Sequence, residues 1–187
     1  MRLSTPRIPP VTPDELDDET RALLSFSADK HDGRADNIFA TLARHPEFLK
    51  NFLVFGSHVL LGSTLPPRER EILILRIGWL CRAEYEWGQH VEVARKAGLT
   101  DDEIHRITEG PDAEAWTPFE ATLLRAVDEL YEDAFITDDT WNTLANEYDT
   151  RQMIDLIFTV GQYNMVSMAL NTLGVQLDER LERFPEE

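Results

Sequence analysis

Apolar residues recur every three or four positions through most of the chain, and no segment sustains the two-residue alternation of a half-buried strand. The first spacing is typical of amphipathic helices, because 3.6 residues complete one helical turn. The pattern therefore predicts an all-α fold, a single domain of about seven to nine helices over residues 14–175.

Capping and breaking signals divide this pattern into separate elements. Threonine followed by proline or acidic residues is typical of helix starts, and glycine is typical of helix ends. The first predicted helix begins at Thr12-Pro13 and ends at the break Asp29–Gly33. Later helices are predicted from about Asn37 to Arg44, from His45-Pro46 onward, from Arg68 to Leu80 and from Arg82 to Ala97. Three more follow Thr100, Thr117 and Thr137, and the last is Thr150–Leu173.

The two ends of the chain differ from the central region. Residues 1–13 contain four prolines, which remove backbone donors and oppose helix formation, so an extended arm is predicted. Arms of this kind often lie on a neighbouring subunit. Residues 176–187 are acidic and are predicted to form a frayed, solvated tail. Met165 and Met168, near the end of the last helix, are interpreted as core residues and not as part of a cofactor site.

Composition narrows the classes of function. The chain has 187 residues, 42% of them hydrophobic, with 35 acidic and 18 basic side chains and a formal net charge of -17. Phosphate backbones should be repelled, so nucleic acid is not an expected partner. The amino terminus lacks the apolar core of a secretion signal, and no run of eighteen apolar residues occurs. We expect a soluble cytoplasmic protein without a membrane partner.

Candidate chemistry is concentrated between Glu71 and His90, in the sequence EILILRIGWLCRAEYEWGQH. Glu86 and His90 are four residues apart and share one face of a helix. Glu71 lies in an apolar run, where an unpaired carboxylate would be costly, so it should pair with His90 or with an arginine such as Arg76 or Arg82. Carboxylate and imidazole groups among apolar side chains have shifted pKa values, as acid/base catalysis requires.

This stretch also supplies the candidate walls of a pocket. Trp79, Tyr85 and Trp87 would exclude water from a bound molecule, and Arg82 is a candidate contact for an anionic group. No cofactor and no metal are expected, although a carboxylate and an imidazole at helical spacing also suit zinc or iron. Outside the stretch, His58 is interpreted as a core or surface residue, while Tyr163 and Asn164 could contact a ligand.

The same residues resemble the signature of the carboxymuconolactone decarboxylase family, in the alkylhydroperoxidase D-like superfamily. In that signature a glutamate precedes a helix with a Cys-x-x-Cys pair and a histidine four residues after it. Glu71 and His90 match the glutamate and the histidine, while Ala83 and Glu86 stand at the cysteine positions. The resemblance is to the branch in which Glu-Trp-x-x-His replaces the cysteine motif. It extends over residues 37–108, where the segments LPPRERE and NIFATLARHPEFL also agree with that branch.

The resemblance implies an α-helical homo-oligomer, a trimer or hexamer, with sites near subunit contacts. Members with the cysteine pair reduce peroxides. That activity is not implied here, because Cys81 is the only cysteine and matches neither position.

Three functions are therefore compared. The first is cofactor-independent acid/base catalysis, such as decarboxylation, on a small lactone or oxidised ring compound. His90 would donate or relay the proton, Glu86 would orient it or act as the base, and Glu71 would hold the network. The second is a helical oligomer that binds a ligand or a protein without catalysis. The third is a peroxidase that uses Cys81 as a single reactive thiol.

Overall fold

The computed structural model describes residues 2–28 and 34–185 and contains nine α-helices and no strand in these ranges, so the all-α prediction is confirmed. The helices are α1 (Asp18–Ala28), α2 (Asn37–Leu42), α3 (Pro46–Ser57), α4 (Pro67–Leu80), α5 (Glu84–Lys96), α6 (Asp101–Glu109), α7 (Pro118–Asp133), α8 (Asp138–Ala145) and α9 (Thr150–Leu173).

Helix α4 lies at the centre of the fold and packs against α5, α7 and α9. Its consecutive residues Ile72–Leu75 are fully buried, because neighbouring helices cover it on several sides. This explains why its sequence is apolar on more than one face, a pattern that a surface helix does not show. The central position also places the polar groups of α4 inside the protein.

Several helix ends follow the local rules read from the sequence. Thr100, Thr117 and Asp149 each form a reciprocal capping box at the start of α6, α7 and α9. Gly98 and Gly174 adopt positive φ angles of 96° and 72° after α5 and α9, where glycine avoids the steric cost of a side chain.

The first predicted helix begins later than expected. The capping box of Thr12 with Glu15 is present, but it opens only a 3₁₀ turn over Pro13–Glu15. Leu16 is extended, and α1 starts at Asp18 after Asp17 accepts a hydrogen bond from the backbone N–H of Thr20 at 2.7 Å. A second local cap therefore competes with the first. The predicted break at Asp29–Gly33 lies outside the described residues.

The amino-terminal arm is extended and packs against helices of its own subunit. The backbone N–H of Arg7 donates to the carbonyl of Leu173 at 2.8 Å, and that of Val11 donates to Ala40 at 3.0 Å. Arg44 donates to the carbonyls of Pro9 and Pro10. These contacts attach the arm to α2 and to the end of α9 within one subunit.

The carboxy-terminal segment differs from the predicted frayed tail in its described part, residues 176–185. Leu181 is buried, and Phe184 packs against Trp79 and Trp87. Residues Asp178–Phe184, called the C-terminal strap below, cross α5. The prediction failed because acidic residues near a chain end are usually solvated, whereas here two apolar residues among them reach the helical core.

Some predicted core residues face outward. Met165 and Met168 are exposed on α9, together with Ile154 and Phe158. Their helical spacing was correct, but periodicity alone does not show which apolar face a single subunit buries. Helix α9 has the length and hydropathy of a membrane span, and half of its most apolar window is buried inside the fold, as in the core helix of a soluble protein.

Candidate functional site

The candidate site lies where α4 turns into α5. Arg82 takes a left-handed conformation with φ of 53°, which is uncommon for a residue with a side chain. The backbone N–H of Arg82 donates to Trp79 and that of Ala83 donates to Gly78, so the chain reverses within three residues. This tight turn lays α5 against α4 and brings Glu86 and His90 beside Glu71.

A continuous chain of polar contacts connects four side chains. Arg70 Nε and Nη2 donate to Glu71 Oε1 at 3.1 and 3.0 Å. Glu71 Oε2 lies 2.7 Å from His90 Nδ1, and His90 Nε2 lies 3.1 Å from Glu86 Oε1. The predicted pairing of Glu71 with His90 is therefore present. The order Arg70, Glu71, His90, Glu86 is called the buried network below.

Sequence reasoning missed Arg70 as a partner of Glu71. Arg76, one of the arginines considered, instead forms a two-point ion pair with Asp128 and donates to backbone carbonyls after α6. A neighbour in sequence is not an obvious partner within a helix, because adjacent side chains point about 100° apart. The signal available was the run of three charged residues, Arg68–Arg70, directly before an apolar helix.

The buried network is almost closed to solvent. Glu71 is 0% exposed, Glu86 4% and His90 6%. Two positive and two negative groups balance when His90 is protonated, so the network carries no formal net charge. Pairing of this kind offsets the large cost of moving isolated charges out of water.

The surroundings of His90 favour its charged form. Burial alone would lower the pKa of His90, but the charge and hydrogen bond of Glu71, together with those of Glu86, outweigh burial and raise the pKa to about 10. His90 therefore carries a proton on both ring nitrogens at neutral pH. Such a group is not available as a base, and it can donate its proton only to a strongly basic acceptor.

Tyr163 of α9 covers the imidazole ring. Its ring meets that of His90 edge to face, with the centroids 4.8 Å apart. Burial, followed by the charges of Glu86 and Glu71, raises the pKa of the Tyr163 phenol well above its usual value. The hydroxyl therefore remains protonated next to the network, where it can act as a hydrogen-bond donor.

Cys81 lies in the same corner but is not an activated thiol. Its Sγ is 3.2 Å from Asn164 Oδ1, and the side chain is buried. Burial raises the pKa of the thiol, an effect that a hydrogen bond to Ser167 and the charge of Arg2 only partly oppose. A peroxide-reducing cysteine requires the opposite shift, because the thiolate is the nucleophile.

The predicted pocket residues separate into two groups. Trp79 and Trp87 lie together, with ring centroids 5.7 Å apart. Tyr85 belongs to another cluster, and its hydroxyl donates to Asp178 Oδ2 at 2.6 Å. Arg82 is exposed at the turn, and His58 is exposed beside Asp155 at 3.7 Å. The structure therefore brings together the two tryptophans but not the three aromatic residues.

The buried network lines none of the three best-formed cavities in the described part of the chain. One is apolar and lies between α2, α3 and α9, where Phe48, Phe52 and Leu170 contribute to its wall. Within residues 2–28 and 34–185, no group of three or more histidine, cysteine, aspartate or glutamate side chains is arranged to hold a metal ion.

The fold is shared with known helical proteins. An uncharacterised peroxidase-related protein from Ralstonia eutropha JMP134, described as an alkylhydroperoxidase AhpD core, aligns with a TM-score of 0.81 and 17% identity over 93% of each chain. A peroxidase-related protein from Silicibacter sp. TM1040 aligns with a TM-score of 0.79 and 18% identity, over 95% of this chain and 92% of its own. The debrominase Bmp8 in complex with 2,3,4-tribromopyrrole aligns with a TM-score of 0.78 and 11% identity, over 95% of this chain and 94% of its own.

These likenesses define the fold, which is AhpD-like and all-helical. The sequence signature of the carboxymuconolactone decarboxylase family matches residues 46–129, which include both helices of the buried network. The match covers less than half of the chain, so the chain is similar to that family over these residues, and the predicted resemblance is confirmed. No curated protein matches the sequence significantly.

Proposed function

We propose that the protein is a cofactor-independent acid/base enzyme, acting on a small lactone or oxidised ring compound by decarboxylation or proton transfer. The observation that carries this proposal is the buried line from Arg70 through Glu71 and His90 to Glu86. Its support is the raised pKa of His90, which keeps a proton stored next to a carboxylate in a nearly dry environment.

In this proposal Glu86 is the group that contacts the substrate. Both nitrogens of His90 already face carboxylates, Nδ1 at Glu71 and Nε2 at Glu86. A proton leaving His90 toward a substrate therefore passes through Glu86. During decarboxylation the bond to the carboxylate carbon breaks, its electron pair forms an extended enolate, and Glu86 delivers the proton of His90 to another carbon of that enolate.

The proposed class of substrate is consistent with the shape of the fold. A debrominase with the same fold binds 2,3,4-tribromopyrrole, a small halogenated ring. In this chain Arg82 offers an exposed cation beside the turn, where the carboxylate of a lactone acid could bind. The proposed activity needs no cofactor.

A turnover assay tests this proposal. The protein is incubated in D₂O with a panel of carboxylated lactones, and carbon dioxide release and deuterium incorporation are measured. Glu86→Gln and His90→Ala should each lower the rate by about 10²- to 10⁴-fold, as expected for loss of a positioned acid or base. Cys81→Ala serves as the control and should retain activity. Equal rates in wild type and both variants would contradict the proposal.

The second candidate is a helical oligomer that binds without catalysis, and the charge balance of the buried network favours it. A balanced network can be purely structural. If Glu86→Gln and His90→Ala alter only stability, and wild type consumes no lactone, this candidate replaces the enzyme. The third candidate, a peroxidase, requires that Cys81→Ala abolish hydroperoxide consumption. The raised pKa of Cys81 argues against it.

We also propose that the protein acts in the cytoplasm as a homo-oligomer, a trimer or hexamer, and neither nucleic acid nor a membrane is a proposed partner. Support comes from an exposed apolar stripe on α9, in which five side chains are 36% to 56% exposed: Ile154, Ile157, Phe158, Met165 and Met168. The stripe contains no charge in a chain of net charge -17, so a second copy can approach it without like charges in contact.

The stripe is symmetric about Gly161. Ile157 and Met165 lie four residues on either side of it, and Ile154 and Met168 lie seven residues away. Two copies of α9 crossing antiparallel at Gly161 would therefore bring these residues into pairs, as a two-fold interface requires, and of the two proposed assemblies only a hexamer contains such an interface. Ile157→Glu should reduce the molar mass measured by light scattering, whereas Phe135→Glu, at an exposed phenylalanine outside the stripe, should not. An unchanged mass for Ile157→Glu would exclude this interface.

A further inference from the structure

The C-terminal strap lies in direct contact with α5. At Gly88 a side chain would have no room, because an added Cβ would lie 2.6 Å from the carbonyl oxygen of Glu182 and 3.1 Å from the side chain of Leu181. Leu181 itself is buried. The absence of a side chain at Gly88 is therefore what lets the strap backbone rest on the helix.

The end of the strap places an aromatic ring in the corner between α4 and α5. The ring of Phe184 lies 5.0 Å from that of Trp79, at 84°, and 5.6 Å from that of Trp87, at 57°. Edge-to-face and tilted contacts at these distances are favourable for aromatic rings, because the edge of one ring is electropositive and the face of another is electronegative. The corner is therefore a ring-binding site that the chain fills with its own side chain.

The two ends of the strap are held differently. At its start, Asp178 accepts hydrogen bonds from the buried Tyr85 hydroxyl and from the backbone N–H of Asn37. Near its end the polar contacts are an exposed ion pair of Arg95 with Glu182 at 2.5 Å and a longer contact, at 3.6 Å, of the exposed Arg183 with the buried Glu84. Exposed ion pairs contribute little and are screened by salt. The strap can therefore lift at Phe184 while it remains attached at Asp178.

The ring corner adjoins the buried network. Trp87 directly follows Glu86, and Trp79 directly follows Gly78, whose Cβ position lies 3.6 Å from the Glu86 side chain. The strap is a non-helical segment, and its Phe184 packs on both tryptophans. Moving it exposes the corner beside Glu86 without separating packed helices.

We infer that the Trp79–Trp87 corner binds the planar, uncharged ring of a ligand, and that Phe184 occupies this site until the ligand displaces it. The ring itself is uncharged because the start of α5 carries Glu84 and Glu86, which disfavour a further negative group in the corner; the carboxylate of a lactone acid would lie outside it, at the exposed Arg82. The inference deepens the proposed function and rests on it for the role of Glu86. The ring site itself is tested by binding alone.

The experiment measures binding of 1-naphthol, a neutral fused-ring probe, to the full chain by equilibrium dialysis. Phe184→Ala removes the competing ring. Gly88→Ala displaces the strap backbone without altering any aromatic residue, and alanine is more favourable than glycine within a helix. Both variants should bind 1-naphthol about tenfold more tightly than wild type, because the cost of opening the site has been removed.

Two matched controls accompany these variants. Phe135→Ala removes an exposed phenylalanine elsewhere, and Gly56→Ala adds a side chain within α3 where the nearest neighbour is 3.9 Å away. Neither should change the affinity. The location is checked with 5-fluorotryptophan: among the four tryptophans, the ¹⁹F resonances of Trp79 and Trp87 should shift when the probe binds.

Unchanged or weaker binding in either Phe184→Ala or Gly88→Ala overturns the inference, as do shifts confined to the other two tryptophans. These outcomes are independent of turnover. A protein that binds the probe as expected but consumes no lactone retains the ring site and loses only the proposed enzyme.

Discussion

The proton held by His90 should make the stability of the fold depend on pH. The pKa of this imidazole rises from 6.5 to about 10 on folding. The folded state therefore holds the proton more tightly than the unfolded state. The resulting stabilisation is complete below pH 6.5 and is lost as the pH rises toward 10. At about 1.4 kcal/mol per pKa unit, the shift corresponds to about 5 kcal/mol.

Glu71→Gln separates this contribution from others that titrate in the same range. The substitution keeps the shape of the side chain and removes the charge that lies 2.7 Å from His90 Nδ1. Arg70 then loses its carboxylate partner and His90 keeps only Glu86, so the pKa of His90 should fall. At pH 6.5 the free energy of unfolding should fall by about 3–5 kcal/mol, the usual cost of breaking a buried ion pair.

The assay is urea denaturation of wild type and variant at pH 6.5, 8 and 9.5, with NMR titration of the imidazole. The difference in the free energy of unfolding between wild type and variant should narrow as the pH rises. The reason is that wild type then loses the contribution of the His90 proton, which the variant already lacks. Glu103→Gln is the control. The pKa of Glu103 is lowered to about 2, chiefly by its hydrogen bond to Arg68. The change in the free energy of unfolding caused by Glu103→Gln should therefore be the same at all three pH values.

Two results would refute this reasoning. One is a wild-type imidazole that titrates near pH 6.5. The other is a gap between wild type and Glu71→Gln that stays constant from pH 6.5 to pH 9.5. Either result would mean that His90 is neutral in the folded protein at physiological pH, and the buried network would not store a proton.

Three further substitutions test the packing around the site by chemical denaturation. Arg82→Gly should stabilise the protein by about 1 kcal/mol, because it relieves a left-handed conformation, whereas Arg82→Ala should not. Arg76→Met should destabilise it by about 3–5 kcal/mol, since Asp128 loses its partner; a change below 1 kcal/mol would contradict this. Tyr148→Phe should cost about 1 kcal/mol through loss of the hydrogen bond to Glu69, and an unchanged stability would show that this bond contributes nothing.

Much of the fold was predictable because its signals are local. Thr100 and Thr117 cap the helices that follow them, and Gly174 ends α9. Each of these rules depends only on a few neighbouring residues. The contact between Glu71 and His90 was also predictable, since a short turn between two helices leaves few other partners for a buried carboxylate.

The parts that could not be predicted depend on contacts between distant segments. The strap packs on α5 because Gly88 leaves space for its backbone and Phe184 contacts two tryptophans. No local sequence pattern predicts contacts between segments so far apart in the chain. The outward position of Met165 was missed for a related reason. Hydrophobic periodicity gives the apolar face of a helix but does not distinguish burial within one subunit from exposure to another.

The electrical neutrality of the buried network has a consequence for its kinetics. If a proton leaves, one negative charge remains in a nearly dry interior, inside a chain that is already strongly acidic. That state is costly and should be short-lived, so recovery of a proton from water follows release promptly. A solvent isotope effect should then arise in proton recovery as well as in the chemical step, and buffers able to reach the turn at Arg82 should accelerate it.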